Sequence, residues 1–177
     1  SLDGDWGNDR VFGQGGNDGY LLGADGNDLL VPGSGSVSFT ATIEGGAGRD
    51  RIGIGQTGYN EIFGGTGRDT IDFRQAPQGM TIDLKWGEFA NTLGAPAIGG
   101  RAFEVENVFG SPFDDVISGN AGANHLYGGN AADTLHGRNG DDYLDGGASV
   151  ADWIEGDGGI DTCTDPDGFI VMDECEA

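Results

Sequence analysis

The clearest chemistry in this sequence belongs to acidic residues that recur at a fixed spacing. Residues 110–164 repeat a nine-residue word, lengthened to ten in one copy, with an aspartate or asparagine at its sixth place. Similar words occupy the first part of the chain. The sixth places are Asp9, Asp18, Asp28, Asp50, Asn60, Asp69, Asp115, Asn124, Asp133, Asp142, Asp152 and Asp161. Carboxylate and amide oxygens suit Ca²⁺, which takes about six to eight hard oxygen ligands in flexible geometry.

The other places of each word predict how these acids are positioned. A word such as GGNAADTLH or GRNGDDYLD has Gly first, often Gly fourth, and an apolar residue eighth. The glycine-rich places suit a turn, because Gly accepts positive φ and loses the most entropy in regular structure. The last three places suit a short strand whose middle side chain points inward. The predicted inward residues are Val11, Tyr20, Leu30, Ile117, Leu126, Leu135, Leu144, Ile154 and Cys163.

Two words make one coil of turn, strand, turn and strand, so alternate words lie on the same side of a stack. Asp133 is therefore expected beside Asp115 and Asp152, and Asp142 beside Asn124 and Asp161. The same argument places the acids of the first block along one side: Asp9, Asp28, Asp50 and Asp69. Carboxylates at the strand spacing of about 4.8 Å repel one another unless a cation lies between them. The sequence therefore predicts several calcium ions held between the turns, with weaker sites where Asn replaces Asp.

The word resembles G-G-x-G-x-D-x-U-x, the nonapeptide of the RTX (repeats-in-toxin, hemolysin-type calcium-binding repeat) family. The resemblance implies an all-β, right-handed parallel β-roll, a solenoid of stacked coils that binds multiple Ca²⁺ ions and belongs to a secreted bacterial protein. We expect the roll to cover residues 1–164 and a C-terminal cap to cover residues 165–177. We also expect the chain to be part of a longer protein.

Two interruptions are expected in the roll, at about residues 32–44 and 73–109. The first loses its sixth-place acid but regains the pattern at Thr42, Ile43 and Glu44, which predicts a degenerate coil. In the second, two alternating segments at residues 80–84 and 103–108 flank an irregular stretch at residues 86–101. We expect that stretch to be a loop folded over the surface of the roll. It is either a ligand-binding loop or a purely structural one.

Charge restricts the partners of this chain. The sequence has 30 acidic and 8 basic residues, for a formal net charge of −22. Nucleic acid is disfavoured because its binding rests on Lys and Arg, and no apolar run has the roughly 20 residues of a membrane span. The high charge and low hydrophobicity are typical of disorder, whereas the periodic spacing is typical of a fold. The composition and the spacing are both explained if the chain is unfolded without calcium and ordered with it.

The two cysteines, Cys163 and Cys175, predict a disulfide that closes the cap in an oxidising compartment. The alternative is two free thiols, with Cys163 filling an inward place. On the outward places, Phe12, Leu29 and Val31 form an apolar patch. The patch is either a contact for an upstream domain or ordinary surface variation.

A catalytic centre is not expected. The sequence lacks the G-x-S-x-G and H-E-x-x-H motifs of lipases and metalloproteases, and His125 and His136 fall on opposite faces, where they cannot share a metal. The predicted function is a calcium-binding module that folds on calcium binding and acts as a rigid scaffold. One alternative is a calcium-dependent adhesin or carbohydrate-binding module, as the repeat modules of alginate epimerases resemble. Another is the non-catalytic part of a secreted hydrolase.

Overall fold

The chain forms two long β-sheets that face each other across one core. The computed structural model describes residues 1–14, 19–33, 40–54, 58–92, 98–148, 151–166, 171–173 and 175. In these ranges every regular element is a β-strand. None of the described residues forms a helix of the length and apolar character needed to cross a membrane. The prediction of an all-β, parallel β-roll is confirmed: the strands stack as coils of a β-solenoid.

The strands are short where the nonapeptide is regular and longer where it is interrupted. In chain order they are β1 (Leu2–Asp3), β2 (Arg10–Phe12), β3 (Tyr20–Asp25), β4 (Leu29–Val31), β5 (Thr40–Gly48), β6 (Arg51–Gly53), β7 (Gly58–Gly67), β8 (Thr70–Asp72), β9 (Met80–Asp83), β10 (Glu88–Asn91), β11 (Ile98–Phe103), β12 (Asn107–Phe109), β13 (Val116–Ser118), β14 (His125–Asn130), β15 (Thr134–His136), β16 (Tyr143–Ala148), β17 (Trp153–Glu155), β18 (Thr162–Thr164) and β19 (Val171–Asp173).

Outside β9, β10 and β11, successive strands alternate between the two sheets. One sheet has the order β1-β3-β5-β7-β11-β10-β9-β13-β15-β17-β19, and the other has the order β18-β16-β14-β12-β8-β6-β4-β2. Within the regular coils each strand pairs in parallel with the strand two further along the chain, as β15 does with β17. Their eighth-place side chains form fully buried columns, such as Ile117, Leu135 and Ile154. Stacking these columns is the source of the core, because a single word buries almost nothing.

The prediction that Tyr20 points inward is wrong. Leu21 is fully buried and Tyr20 is half-exposed, and Leu21 pairs with Ile43 of the next coil. Residues 13–22 are one residue longer than a nine-residue word, and the extra residue lies before the strand, so Leu21 takes the inward place. The Gly19 carbonyl oxygen accepts a hydrogen bond from the Thr42 N–H, as sixth-place carbonyls do in neighbouring coils. A one-residue shift exchanges the two faces of a strand.

The first interruption continues the roll as expected. Thr42, Ile43 and Glu44 pair in register with the strand of the preceding coil, and β5 pairs with β7 on its other side. Ile43 is fully buried. Residues 34–39 of this interruption lie outside the described residues.

In the second interruption, the strand expected at residues 80–84 is present as β9, but the prediction of a surface loop at residues 86–101 is wrong. Most of the interruption is a three-stranded antiparallel unit, β9, β10 and β11, which we call the antiparallel insert. It lies inside the larger sheet, between parallel β7 and parallel β13. The physical reason is the alternation of Glu88, Phe89 and Ala90, which buries the Phe89 ring in the core and exposes its neighbours. Phe89 contacts the fully buried Phe73, with ring centroids 5.2 Å apart.

The C-terminal segment lies at the end of the stack, and its role as a cap stays a prediction. A disulfide joins Cys163 to Cys175, with Cα atoms 5.8 Å apart, a normal separation for such a bond. The last strand, β19, adds to β17 at the end of the larger sheet. Both cysteines pack against the hydrophobic core. The disulfide therefore ties this strand to the last strand of the other sheet.

Candidate metal centre

The sixth-place residues form two rows, one at each edge of the roll. The first acidic row precedes the strands of the eight-stranded sheet, and the second acidic row precedes those of the larger sheet. The first row contains Asp9, Asp28, Asp50, Asp69, Asn124, Asp142 and Asp161. The second row contains Asp115, Asp133 and Asp152. The structure thus brings the predicted neighbours together within each block. It also aligns the first block with Asp142 and Asp161 of the second.

One hydrogen bond recurs along both rows. The backbone N–H of a sixth-place residue donates to the Oδ1 atom of the aspartate in the next coil, for example from Asp50 to Asp69 at 2.8 Å and from Asp133 to Asp152 at 2.8 Å. The residues that donate in this way are Asp9, Asp28, Asp50, Asp115, Asn124, Asp133 and Asp142. This bond fixes the carboxylate of one coil against the backbone of the coil before it. One oxygen of each such carboxylate is therefore committed to the stacking of the turns.

The other carboxylate oxygen, Oδ2, is buried without a hydrogen-bond partner in most aspartates of the two rows. The residues whose Oδ2 atom has no hydrogen bond within the described structure are Asp9, Asp28, Asp50, Asp69, Asp133, Asp142 and Asp161. Leaving one buried polar group unsatisfied costs roughly 1–3 kcal/mol, and more when it is charged. A series of such oxygens along one edge is the environment that a bound cation would satisfy.

The first glycine of each word brings a carbonyl oxygen to the same place. A Cβ atom built on Gly23 would collide with the Oδ2 atom of Asp28 and with the carbonyl oxygen of Gly45 in the next coil. The equivalent pair at Gly128 is the Asp133 carboxylate and the Gly146 carbonyl. Any side chain at this place would fill the space between the two oxygens. The glycines are therefore required for carboxylate and carbonyl oxygens to converge.

Burial makes the charged form of these acids costly. Burial first, and then the charges of neighbouring acids, raise the pKa of Asp133 to about 8. Burial likewise raises the pKa of Asp69 and of Asp142 to about 6. A divalent cation would reverse this effect by stabilising the ionised carboxylates. Nowhere in the described residues do three acidic, histidine or cysteine side chains converge on one point. A metal there would need backbone carbonyls among its ligands, which is ordinary for Ca²⁺.

Two predicted ligands have their side-chain oxygens satisfied by the protein itself. The Asp115 carboxylate accepts hydrogen bonds from the Ser111 N–H and O–H and from the Met80 N–H. The Asn124 side chain accepts from the Asn120 N–H and donates to the Glu106 carbonyl. These two residues stay predicted ligands, but they lack the unpartnered oxygen of the others.

Two other predicted ligands, Asn60 and Asp18, are not among the members of the two rows. Asn60 is buried at the second edge, and its cross-strand neighbours are Ala41 and Gly100, so no carboxylate lies beside it there. Asp18 lies outside the described residues. The predicted ligand roles of both residues stay predictions.

Glu106 is a residue of the first row that the sequence analysis missed. Its Oε2 atom accepts the Asp69 N–H at 2.8 Å, the bond that an aspartate makes in the other coils. Glu106 directly precedes β12, whose Val108 is fully buried at the eighth place. The sequence does carry a sign of this role, because Asn107-Val108-Phe109 followed by Gly110 fits the last three places of one word and the first Gly of the next. The glycines expected earlier in that word are missing, so the residues before Asn107 do not resemble a nonapeptide.

The two histidines lie in different sheets, which agrees with the expectation that they cannot share a metal. His125 lies in β14 of one sheet and His136 in β15 of the other. The Arg68 guanidinium lies 2.9 Å from the His125 ring, and Glu155 lies 3.0 Å from that of His136. The apolar patch is only partly exposed: Phe12 is 45% exposed, whereas Leu29 and Val31 are half-buried. A domain contact at this patch stays a prediction.

The fold and the rows define a calcium-binding β-roll module, built of repeats that carry no catalytic machinery of their own. The sequence profile of the RTX calcium-binding nonapeptide repeat matches four copies in this chain, at residues 3–36, 53–75, 109–144 and 127–163. The chain therefore belongs to the RTX family, whose repeats bind several calcium ions per array. No curated protein matches this chain significantly.

Proposed function

We propose that this RTX module couples its folding to calcium binding and serves as a rigid scaffold in a secreted protein. The observation that carries the proposal is the series of buried Oδ2 atoms without a hydrogen-bond partner in the described structure, set beside converging glycine carbonyls. A fold that buries ionised oxygens at regular intervals is costly unless a cation accompanies them. The cation therefore contributes to the stability of the stacked turns as well as binding to them.

The residues proposed to hold calcium are the members of the two rows that offer an uncommitted carboxylate oxygen, namely Asp9, Asp28, Asp50, Asp69, Asp133, Asp142 and Asp161. Asp152 is proposed with them because its Oδ1 atom accepts the Asp133 N–H as the others do. Calcium would supply positive charge between stacked turns. The protein supplies the carboxylates, the glycine carbonyls and the backbone hydrogen bonds that hold the coils in register.

Secretion is the second part of the proposal. Extracellular calcium modules bind with dissociation constants of about 10⁻⁴ to 10⁻³ M, so a chain of this kind would stay unfolded at low calcium and fold at extracellular levels. The Cys163–Cys175 disulfide supports the same setting, because disulfides persist in oxidising compartments. The net charge of −22 would keep the metal-free chain expanded by self-repulsion.

The test is far-ultraviolet circular dichroism of the intact, oxidised chain during a calcium titration that starts in chelator. The expected result is a change from a coil spectrum to a β spectrum with a midpoint near the millimolar range, reversed by added chelator. Titration with Mg²⁺ is the control, because Mg²⁺ demands near-octahedral geometry and gives up its water reluctantly. A full β spectrum in excess chelator would overturn the coupling of metal to fold.

A further inference from the structure

The outer face of the antiparallel insert carries a cavity that the calcium rows do not use. The cavity has a volume of about 460 Å³ and lies over β7, β11, β10 and β9. Its size is within the range of about 300–1,000 Å³ that is typical of small-molecule sites. Most of its lining comes from the antiparallel insert, and Tyr59 comes from the adjacent nonapeptide strand β7. We propose that this cavity binds a neutral oligosaccharide.

The floor and one wall of the cavity come from a single row of residues across four strands. Tyr59 pairs with Gly99, Gly99 with Ala90, and Ala90 with Thr81. Because Gly99 and Ala90 have almost no side chain, the sheet surface is open beside the Tyr59 ring. The Tyr59 side chain is 42% exposed. An aromatic ring that stands beside a flat, apolar floor can stack on the C–H face of a sugar ring.

The neighbouring row, two residues along each strand, supplies polar groups. Arg101 lies between Glu61 of β7 and Glu88 of β10, and Glu88 lies beside Asp83 of β9. The Arg101 guanidinium makes no ion pair or hydrogen bond to any other described residue. A planar guanidinium and carboxylates in one row can donate to and accept from adjacent hydroxyl groups. The cavity thus places an apolar surface beside polar groups, and a sugar likewise presents a C–H face beside hydroxyl groups.

Other classes of ligand fit this face less well. A peptide that adds a β-strand needs a free sheet edge, but β7, β11, β10 and β9 are each paired on both sides. A polyanion is disfavoured by the Glu88 carboxylate in the lining and by the net charge of −22. The uncharged, hydroxyl-rich ligand is the one that the shape and charge of the cavity favour.

The test measures binding of defined sugars to the full chain in saturating calcium, after circular dichroism has shown that each protein is folded. The probes are hexasaccharides of glucose, xylose, mannose and N-acetylglucosamine, with a uronic-acid hexasaccharide as the anionic member. We expect at least one neutral hexasaccharide to bind by calorimetry. Tyr59→Ala should weaken that binding about tenfold, which corresponds to about 1.4 kcal/mol and is within the range of a stacked aromatic contact. Ala90→Trp, which fills the floor, should abolish it.

Trp86→Ala is the matched control. Trp86 is 64% exposed in the turn between β9 and β10, and it does not line the cavity. This variant should bind as the unsubstituted chain does. The proposal is overturned if no neutral hexasaccharide binds the folded chain, if only the uronic-acid probe binds, or if Ala90→Trp or Tyr59→Ala binds as strongly as the control. Each of these results leaves the calcium-dependent circular dichroism, and so the proposed function, unaffected.

Discussion

The regular coils and the antiparallel insert both form part of the larger sheet, but they place different residues at its edge. In the second acidic row the coils place Asp152, Asp133 and Asp115 at successive sixth places. The insert places the fully buried Met80 next in that row, and the Met80 N–H still donates to the Asp115 Oδ1 atom. The backbone bond is therefore kept while the charge is lost. In the proposed function, it is therefore the sixth-place carboxylate, and not the backbone, that makes a coil need a cation.

The insert obtains its stability from apolar packing. Met80, Ile82, Phe89 and Ile98 are buried there, and Phe89 packs against Phe73. The regular coils bury a single Leu, Ile or Val per word and add carboxylates whose pKa values burial raises. The two regions should therefore differ in how their stability depends on calcium. Substitutions in the insert should cost the same free energy at every calcium concentration at which the chain is folded.

The largest expected effect comes from Phe89→Ala in the insert. Removing a buried aromatic side chain leaves a cavity and costs about 3–5 kcal/mol. Urea unfolding at two calcium concentrations, both sufficient to fold the chain, measures the loss. The loss should be the same at both concentrations. A loss that grows with calcium would show that the insert depends on metal as the coils do.

The next effect comes from removing the disulfide by the double substitution Cys163→Ser and Cys175→Ser. A bridge that closes a loop of this length stabilises by about 2–3 kcal/mol, mainly by restricting the unfolded chain. The loss should appear at both calcium concentrations, with earlier hydrogen exchange in β18 and β19 than in β13. Unchanged exchange in those end strands would exclude a capping role.

A calcium-dependent loss is expected from Asp133→Asn. The amide keeps an oxygen for the Asp115 N–H but removes the charge and the second carboxylate oxygen. The loss should approach 2.7 kcal/mol at about a hundredfold excess of calcium over its Kd and should shrink as calcium falls. Asp115→Asn is the matched control, because protein groups already occupy that carboxylate. If both variants lose stability in proportion to calcium, the distinction between the two aspartates is wrong.

The smallest effect concerns an ion pair that joins the insert to a regular coil. The Arg138 guanidinium donates to both oxygens of Asp83, at 2.7 and 2.6 Å, and this bond holds the Asp83 pKa below its usual range. Arg138→Met should cost about 1 kcal/mol at neutral pH, because the pair is partly exposed. Since the folded pKa of Asp83 is lowered, this contribution is complete above its unfolded pKa of about 3.9. It is lost as the pH falls through the folded pKa.

Carbon-detected NMR titration of the Asp83 carboxyl measures this effect directly. The Asp83 pKa should rise towards its ordinary value in the Arg138→Met variant, while Lys85→Met should leave it close to that of the unsubstituted chain. An unchanged Asp83 pKa in Arg138→Met would mean that the ion pair is not formed in solution.

The regular coils could be predicted from the sequence because their information is local. The spacing of Asp133 and Asp152 places them one coil apart whatever the rest of the chain does, and the structure has them in contact. One extra residue was enough to reverse Tyr20 and Leu21, since a strand has a period of two. The sequence of a glycine-rich turn does not show which of its residues is the extra one.

The insert could not be predicted because its pairing is nonlocal. The alternation at residues 88–91 indicates a strand, but nothing in it specifies antiparallel partners on both sides. Glu106 was missed for a related reason. Its role depends on the Asp69 N–H, 37 residues away, to which no local word connects it. The cavity beside Tyr59 depends on the pairing of β7, β11, β10 and β9, so it could not be predicted from the sequence either.

The most direct test of the central claim is amide hydrogen exchange of the sixth-place residues, measured in calcium and in chelator. The account predicts that the N–H groups of Asp28, Asp50 and Asp133, which donate to aspartates of the next coil, are protected in calcium and exchange at unfolded rates in chelator. Equal protection of these amides in chelator would show that the acidic turns stack without a cation, and it would contradict the account.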